Sequence, residues 1–126
     1  MIAADTSTWI AFLEGESGQD VQMLARALED RQVVMVPAVL TELLSDPELP
    51  PSATRTLSDL PLIDIDSGYW QRAGRLRAKV LARNRKARLG DALIAQNCID
   101  GSVSLITRDR DFRAFADAAG LKLMIG

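Results

Sequence analysis

Histidine is absent from this 126-residue chain. That removes the Ser-His-Asp triad, Cys-His pairs, histidine zinc sites and histidine acid–base chemistry. Cysteine occurs once, at Cys98, which excludes an internal disulfide and a thiolate zinc cluster within one chain. Aromatic residues are sparse, and no apolar run approaches the length needed to span a bilayer. The N-terminus has neither the charged region nor the long apolar stretch of a secretory signal. The expectation is a cytoplasmic protein without a membrane anchor. Any catalysis falls to carboxylates, hydroxyls, lysine and arginine. Carboxylates and waters suit hard cations such as magnesium or manganese.

What is present is one domain's length of chain, residues 1–126, with 48% apolar residues, enough for one core. The net charge of −2 hides an uneven distribution. Residues 67–90 hold Arg72, Arg75, Arg77, Lys79, Arg83, Arg85, Lys86 and Arg88 and no acid. The rest of the chain carries all 17 acids. A basic block on an acidic body suits a polyanionic partner or a charged protein interface. Arg72, Arg75, Lys79 and Arg83 recur at helical spacing, and Arg83 to Arg88 lead towards Asp91. They read either as a solvated face or as phosphate contacts that position RNA without reading its sequence.

Apolar periodicity alternates between strand and helix. Strands are predicted at 2–4, 33–36, 62–65, 103–106 and 121–125. Helices are predicted from the start signal Asp5-Thr6-Ser7-Thr8 to a stop at Gly15, over 19–31, after Pro37, near 51–58, and over 67–84, 91–99 and 109–118. Such alternation implies an α/β/α sandwich on a central, mostly parallel sheet of about five strands. Sites in open parallel sheets lie beyond the carboxyl ends of the strands. Asp5, Thr107 and Asp109 occupy such positions, and Glu42 lies in the helix after the second strand.

Each acid has an ordinary explanation. Asp5 and Asp109 suit helix caps, and Asp91 and Asp111 suit first turns. Glu42 lies off the apolar arc of its helix and suits solvent. Their joint placement is the stronger signal, because helix starts after parallel strands share one sheet edge. Crowded carboxylates raise one another's pKa, and a divalent cation removes the conflict. One or two ions can activate water for attack on a phosphodiester without histidine.

Four segments carry a resemblance: Asp5-Thr6-Ser7 after the first strand, Val36 to Glu42, Asp91 to Ala95, and Thr107 to Phe112. In this order the chain resembles the PIN-domain family, and within it the VapC-type toxins of bacterial toxin–antitoxin pairs. The resemblance implies that Asp5, Glu42, Asp91 and Asp109 form an acidic catalytic quartet, with Asp5, Asp91 and Asp109 as metal ligands. It implies accompanying roles for Thr6, Ser7 and Thr107, with Asp111 as a fifth acid. It further implies cleavage of RNA (often tRNA or ribosomal RNA) with Mg²⁺ or Mn²⁺, a homodimer, and a small VapB-type antitoxin. Under this reading Arg72, Arg75, Lys79, Arg83, Arg85, Lys86 and Arg88 bind RNA. Two alternatives remain: a non-catalytic RNA- or protein-binding module of the same fold, and a phosphatase or receiver-like domain. A receiver needs a lysine near the fifth strand, and Lys122 is expected inside the last strand rather than after it.

Overall fold

The computed structural model describes residues 1–125. The elements are β1 (Ile2–Ala4), α1 (Thr6–Leu13), α2 (Gln19–Glu29), α3 (Pro37–Leu44), α4 (Pro51–Ser58), α5 (Tyr69–Ala82), α6 (Leu89–Asp100), β2 (Ser104–Thr107), α7 (Arg113–Ala119) and β3 (Leu123–Ile125). A short 3-10 turn over Arg110–Phe112 leads into α7. No helix among the described residues is long and apolar enough to cross a membrane.

The sheet has three strands in the order β1-β2-β3, all parallel. The first pairs Ala4 with Ile106, and the second pairs Ile106 with Met124. This corrects the expected five strands. Residues 33–36 and 62–65 contribute only isolated parallel bridges, Ile2 to Val33 and Met35 to Leu62. Proline explains the brevity. Pro37 starts α3 two residues after Met35, and Pro61 has no N–H to extend its pairing. Met35 N–H donates to the Pro61 carbonyl at 2.7 Å and Ile63 N–H to the Met35 carbonyl at 3.0 Å, after which the chain leaves the sheet.

Both faces of the sheet are covered. Leu105 and Ile106 are adjacent on β2 and so point to opposite faces, yet each is fully buried. α1 and α2 pack on each other and on β2. α5 and α6 form the second helical pair, with α6 against β2 and α7 against both helices. α3 bridges α1 and α6, and α4 packs on α3. The core gathers Trp9, Leu24, Met35, Val39, Ile94, Leu105, Ile106, Phe112 and Phe115. Cys98, in α6, is buried with them, and burial pushes its thiol pKa up to about 12. It is therefore a packing residue.

Several boundaries move by small, explicable amounts. α2 stops at Glu29 because Arg31 turns left-handed at φ +55°. α5 starts after Gly68, whose φ of +80° sets the turn into the helix. α6 begins at Leu89, two residues before the predicted start, with Asp91 in its first turn as expected. The last strand begins at Leu123, so Lys122 precedes it.

Candidate functional site

Parallel pairing brings the ends of β1 and β2 side by side. Asp5 N–H donates to the Ile106 carbonyl at 3.0 Å, extending the ladder one step past β1. Asp5 and Thr107 then lie next to each other, and the Thr107 hydroxyl donates to Asp5 Oδ2 at 2.7 Å. Asp5 is also the N-cap of α1, accepting the Thr8 N–H at 3.0 Å. The Ser7 hydroxyl lies 2.9 Å from both of its oxygens. Capping and site placement are thus the same geometry. The Asp5 carboxyl is 3% exposed, and burial raises its pKa despite the donors from Thr107, Thr8 and Ser7.

The next layer starts from Thr107. Its hydroxyl oxygen accepts the Asp109 N–H at 2.9 Å while donating to Asp5. Asp109 in turn caps the 3-10 turn, its Oδ1 accepting the Asp111 N–H at 2.9 Å. From α6, Asp91 meets this turn. One carboxylate oxygen each from Asp91, Asp109 and Asp111 lies within 4.8 Å of the others. The tight trio therefore includes Asp111, the fifth acid of the sequence reading. Asp5 is outside this trio, held by its own donors yet near enough to raise the Asp91 pKa.

Asp91 carries the electrostatic conflict. Burial and then Asp109 push its pKa up to about 6; Arg88 pulls it down, and Asp5 and Asp111 add upward pressure. Its Oδ2 is buried, and no group among the described residues donates to it. A carboxylate with one buried, donorless oxygen, clustered with two further acids, fits a divalent cation. Glu42 approaches from α3. The Thr6 hydroxyl donates to Glu42 Oε1 at 2.8 Å, and a Cβ placed on Gly90 would lie 3.9 Å from that oxygen. Glu42 is thus next to the neighbours of both Asp5 and Asp91.

The basic block divides. Lys86 Nζ lies 3.3 Å from Asp111 Oδ2, and Arg88 acts on Asp91. The acidic cluster therefore has basic neighbours. Arg85 pairs with exposed Asp117 at 2.7 Å. Arg75 and Arg83 are exposed. Arg72 and Lys79 are committed elsewhere. Arg72 pairs with Asp100 at 2.6 Å and donates to the Ser67 carbonyl at 2.7 Å, while Lys79 donates to the Ala118 carbonyl at 2.5 Å. Asp100 is nine residues beyond Asp91 on α6, about 13 Å along the axis. Tyr69 is core, donating to the Leu93 carbonyl at 2.6 Å, whereas Trp70 is 64% exposed.

Two polar residues escaped the sequence reading. Asp20 is 2% exposed and ion-paired to Arg108 at 2.7 Å. Asp20 lies in the first turn of α2, where an acid is ordinary, and nothing in the sequence signals a contact across 88 positions.

An open parallel sheet with covered faces and acids gathered at its carboxyl edge defines a class of α/β proteins with a carboxylate site at the strand ends. The family model described as PIN domain matches residues 2–118. The chain therefore belongs to the PIN domain family. Solved structures with this fold include VapBC2 from Rickettsia felis bound to a promoter DNA fragment, at TM-score 0.72 and 20% identity, covering 100% of this chain and 99% of that one. DNA-bound VapBC from Salmonella typhimurium is similar at TM-score 0.72 and 18% identity, covering 99% and 98%. FitAcB from Neisseria gonorrhoeae follows at TM-score 0.68 and 18% identity, covering 98% and 96%. The sequence has no significant match among curated proteins.

Proposed function

We propose that this protein is a VapC-type toxin, an endoribonuclease that hydrolyses RNA phosphodiesters at the Asp5–Glu42–Asp91–Asp109 edge with Mg²⁺, or Mn²⁺ in its place. The observation that carries the proposal is the convergence of one carboxylate oxygen each from Asp91, Asp109 and Asp111 within 4.8 Å, with Asp91 Oδ2 buried and without a donor among the described residues. Family membership supports a nuclease, and the VapBC complexes that share the fold support a toxin.

Asp91, Asp109 and Asp111 would hold the cation, with Asp5 held by Thr8 and Thr107. When bound, it lowers the pKa of a coordinated water and offsets phosphate charge. The chain's own residues arrange the rest. Thr107 ties Asp5 to the Asp109 backbone, so the acids are placed before substrate arrives. Glu42, exposed and hydrogen-bonded by Thr6, would accept a proton from an attacking water. Arg88, Lys86 and the exposed Arg83 offer phosphate contacts along the approach. Structured tRNA or ribosomal RNA is the substrate class, and the cytoplasm is the compartment.

A VapB-type antitoxin is the proposed partner, as in the VapBC complexes sharing the fold. A homodimer is the proposed assembly. The deciding experiment incubates purified protein with structured RNA and Mn²⁺, with and without chelator. Cutting that stops with chelator and is absent from Asp91→Asn supports the reading. RNA binding without metal-dependent cutting would replace it with a non-catalytic PIN module.

A further inference from the structure

Behind the acidic cluster lies a polar assembly that the proposed chemistry does not use. Asp20, in the first turn of α2, takes a forked ion pair from Arg108: Nε to Oδ2 at 2.7 Å and Nη2 to Oδ1 at 3.1 Å. The Thr8 hydroxyl donates to the same Oδ2 at 3.0 Å. Arg108 Nη2 also reaches the Ser17 carbonyl at 3.4 Å. Gly18 makes room for the fork. At φ +152°, a Cβ on it would lie 2.6 Å from Asp20 Oδ1 and 3.0 Å from Arg108 Nη2.

A half-buried charged pair such as this one, with only the Asp20 side fully enclosed, adds little net stability, because desolvation offsets the attraction. Its position is the informative part. Arg108 sits between Thr107 and Asp109. Thr8 is the residue whose N–H holds Asp5. One buried carboxylate therefore grips, from the rear, both the start of α1 and the end of β2. These are the two segments that build the cradle of Asp5 and the hydroxyl link to Asp109.

We propose that Asp20 and Arg108 are positioning residues that set the separation of Asp5 and Asp109. The fork commits Nε and Nη2 of Arg108 to Asp20, so this arginine is a brace rather than a phosphate ligand. Its consequence for cation binding rests on the function proposed above; the geometric claim does not.

The test uses metal-free, full-length protein and amide hydrogen exchange. In Asp20→Asn, the Thr8 and Asp109 amides are expected to exchange about tenfold faster or more, the scale of one hydrogen bond to a charged group. The Leu105 amide, bonded to the Lys122 carbonyl within the sheet, is expected to keep its protection. Thr8→Val cuts only the α1 side of the brace, so the amide of residue 8 should loosen while that of Asp109 does not. Arg108→Lys keeps the charge but loses the fork, and serves if Asp20→Asn does not fold. Mn²⁺ affinity, read from the resonance of free Mn²⁺, should fall about tenfold or more in the folded variants. Unchanged exchange at both amides in a folded variant overturns the proposal. Loosened amides in a protein whose wild type binds no Mn²⁺ would sink the cation reading and leave the brace standing.

Discussion

The Thr107 hydroxyl reaches Asp5 at 2.7 Å across 102 positions of sequence, and the same oxygen accepts the Asp109 N–H at 2.9 Å. Thr107 is fully buried, so both bonds form away from solvent. Thr107→Val keeps the shape and removes both. It is expected to cost about 1–3 kcal/mol, the penalty for leaving buried partners unsatisfied. RNA cleavage should fall more steeply than the Tm shift explains. A melt paired with a cleavage assay checks this, and wild-type kcat would exclude a role for the link.

Asp91→Asn separates function from stability. The change removes a proposed ligand and also relieves the repulsion from Asp109. Cleavage is expected to vanish, while the chelator-treated protein melts higher than wild type at neutral pH. Thermal melts with and without Mn²⁺ check both halves. A lower melting temperature in chelator would contradict the strained, donorless carboxylate.

The sign of the pH dependence follows from the same group. The folded pKa of Asp91 is raised from 3.8 to about 6, so the native state holds this proton more tightly than the unfolded chain. Below about pH 4 both states are protonated at this residue. Between about 4 and 6 the unfolded chain ionises first, and the contribution of Asp91 to stability falls as pH rises. Above about 6 the penalty is constant. The difference in unfolding free energy between wild type and Asp91→Asn, measured without metal from pH 4 to 8, should grow towards pH 6 and then level. A flat difference would reject the shift.

The divided basic block gives a contrast in salt dependence. Arg88→Gln should weaken RNA binding and make the slope of affinity against salt shallower by about one unit. Arg72→Gln should leave that slope unchanged, because Arg72 is held by Asp100 and the Ser67 carbonyl. Filter binding at several salt concentrations distinguishes the two, and equal slopes would remove the division.

In the core, Leu105→Ala deletes a fully buried side chain from the middle strand. A loss of about 2–5 kcal/mol is expected by denaturant titration. A loss under about 1 kcal/mol would mean that the β2 core is looser than its burial indicates.

How far the sequence could be read depended on whether a signal was local. Helical periodicity placed α5 through Tyr69, Ala73, Leu76 and Val80, and all four are buried. The rule that sites follow strand ends placed Asp5 and Asp109 at one edge, because β1 and β2 both terminate there. Strand number was harder. Val33 to Val36 are apolar enough for a strand, but pairing is a property of two segments, and prolines at 37 and 61 cut it short. Asp111 could not be ranked from sequence, because its place in the trio depends on the tightness of the turn that Asp109 caps. Asp20 and Arg108 were illegible for the same reason: their contact exists only in the folded chain.

The interruptions at Pro37 and Pro61 also bear on behaviour at high concentration. On the side of the sheet beyond β1, pairing ends after single bridges, and the chain turns into helix or loop. An incoming strand from another molecule finds no long row of free amides and carbonyls to copy on that margin. The same feature that shortens the sheet therefore guards the protein against fibre-like growth from that flank.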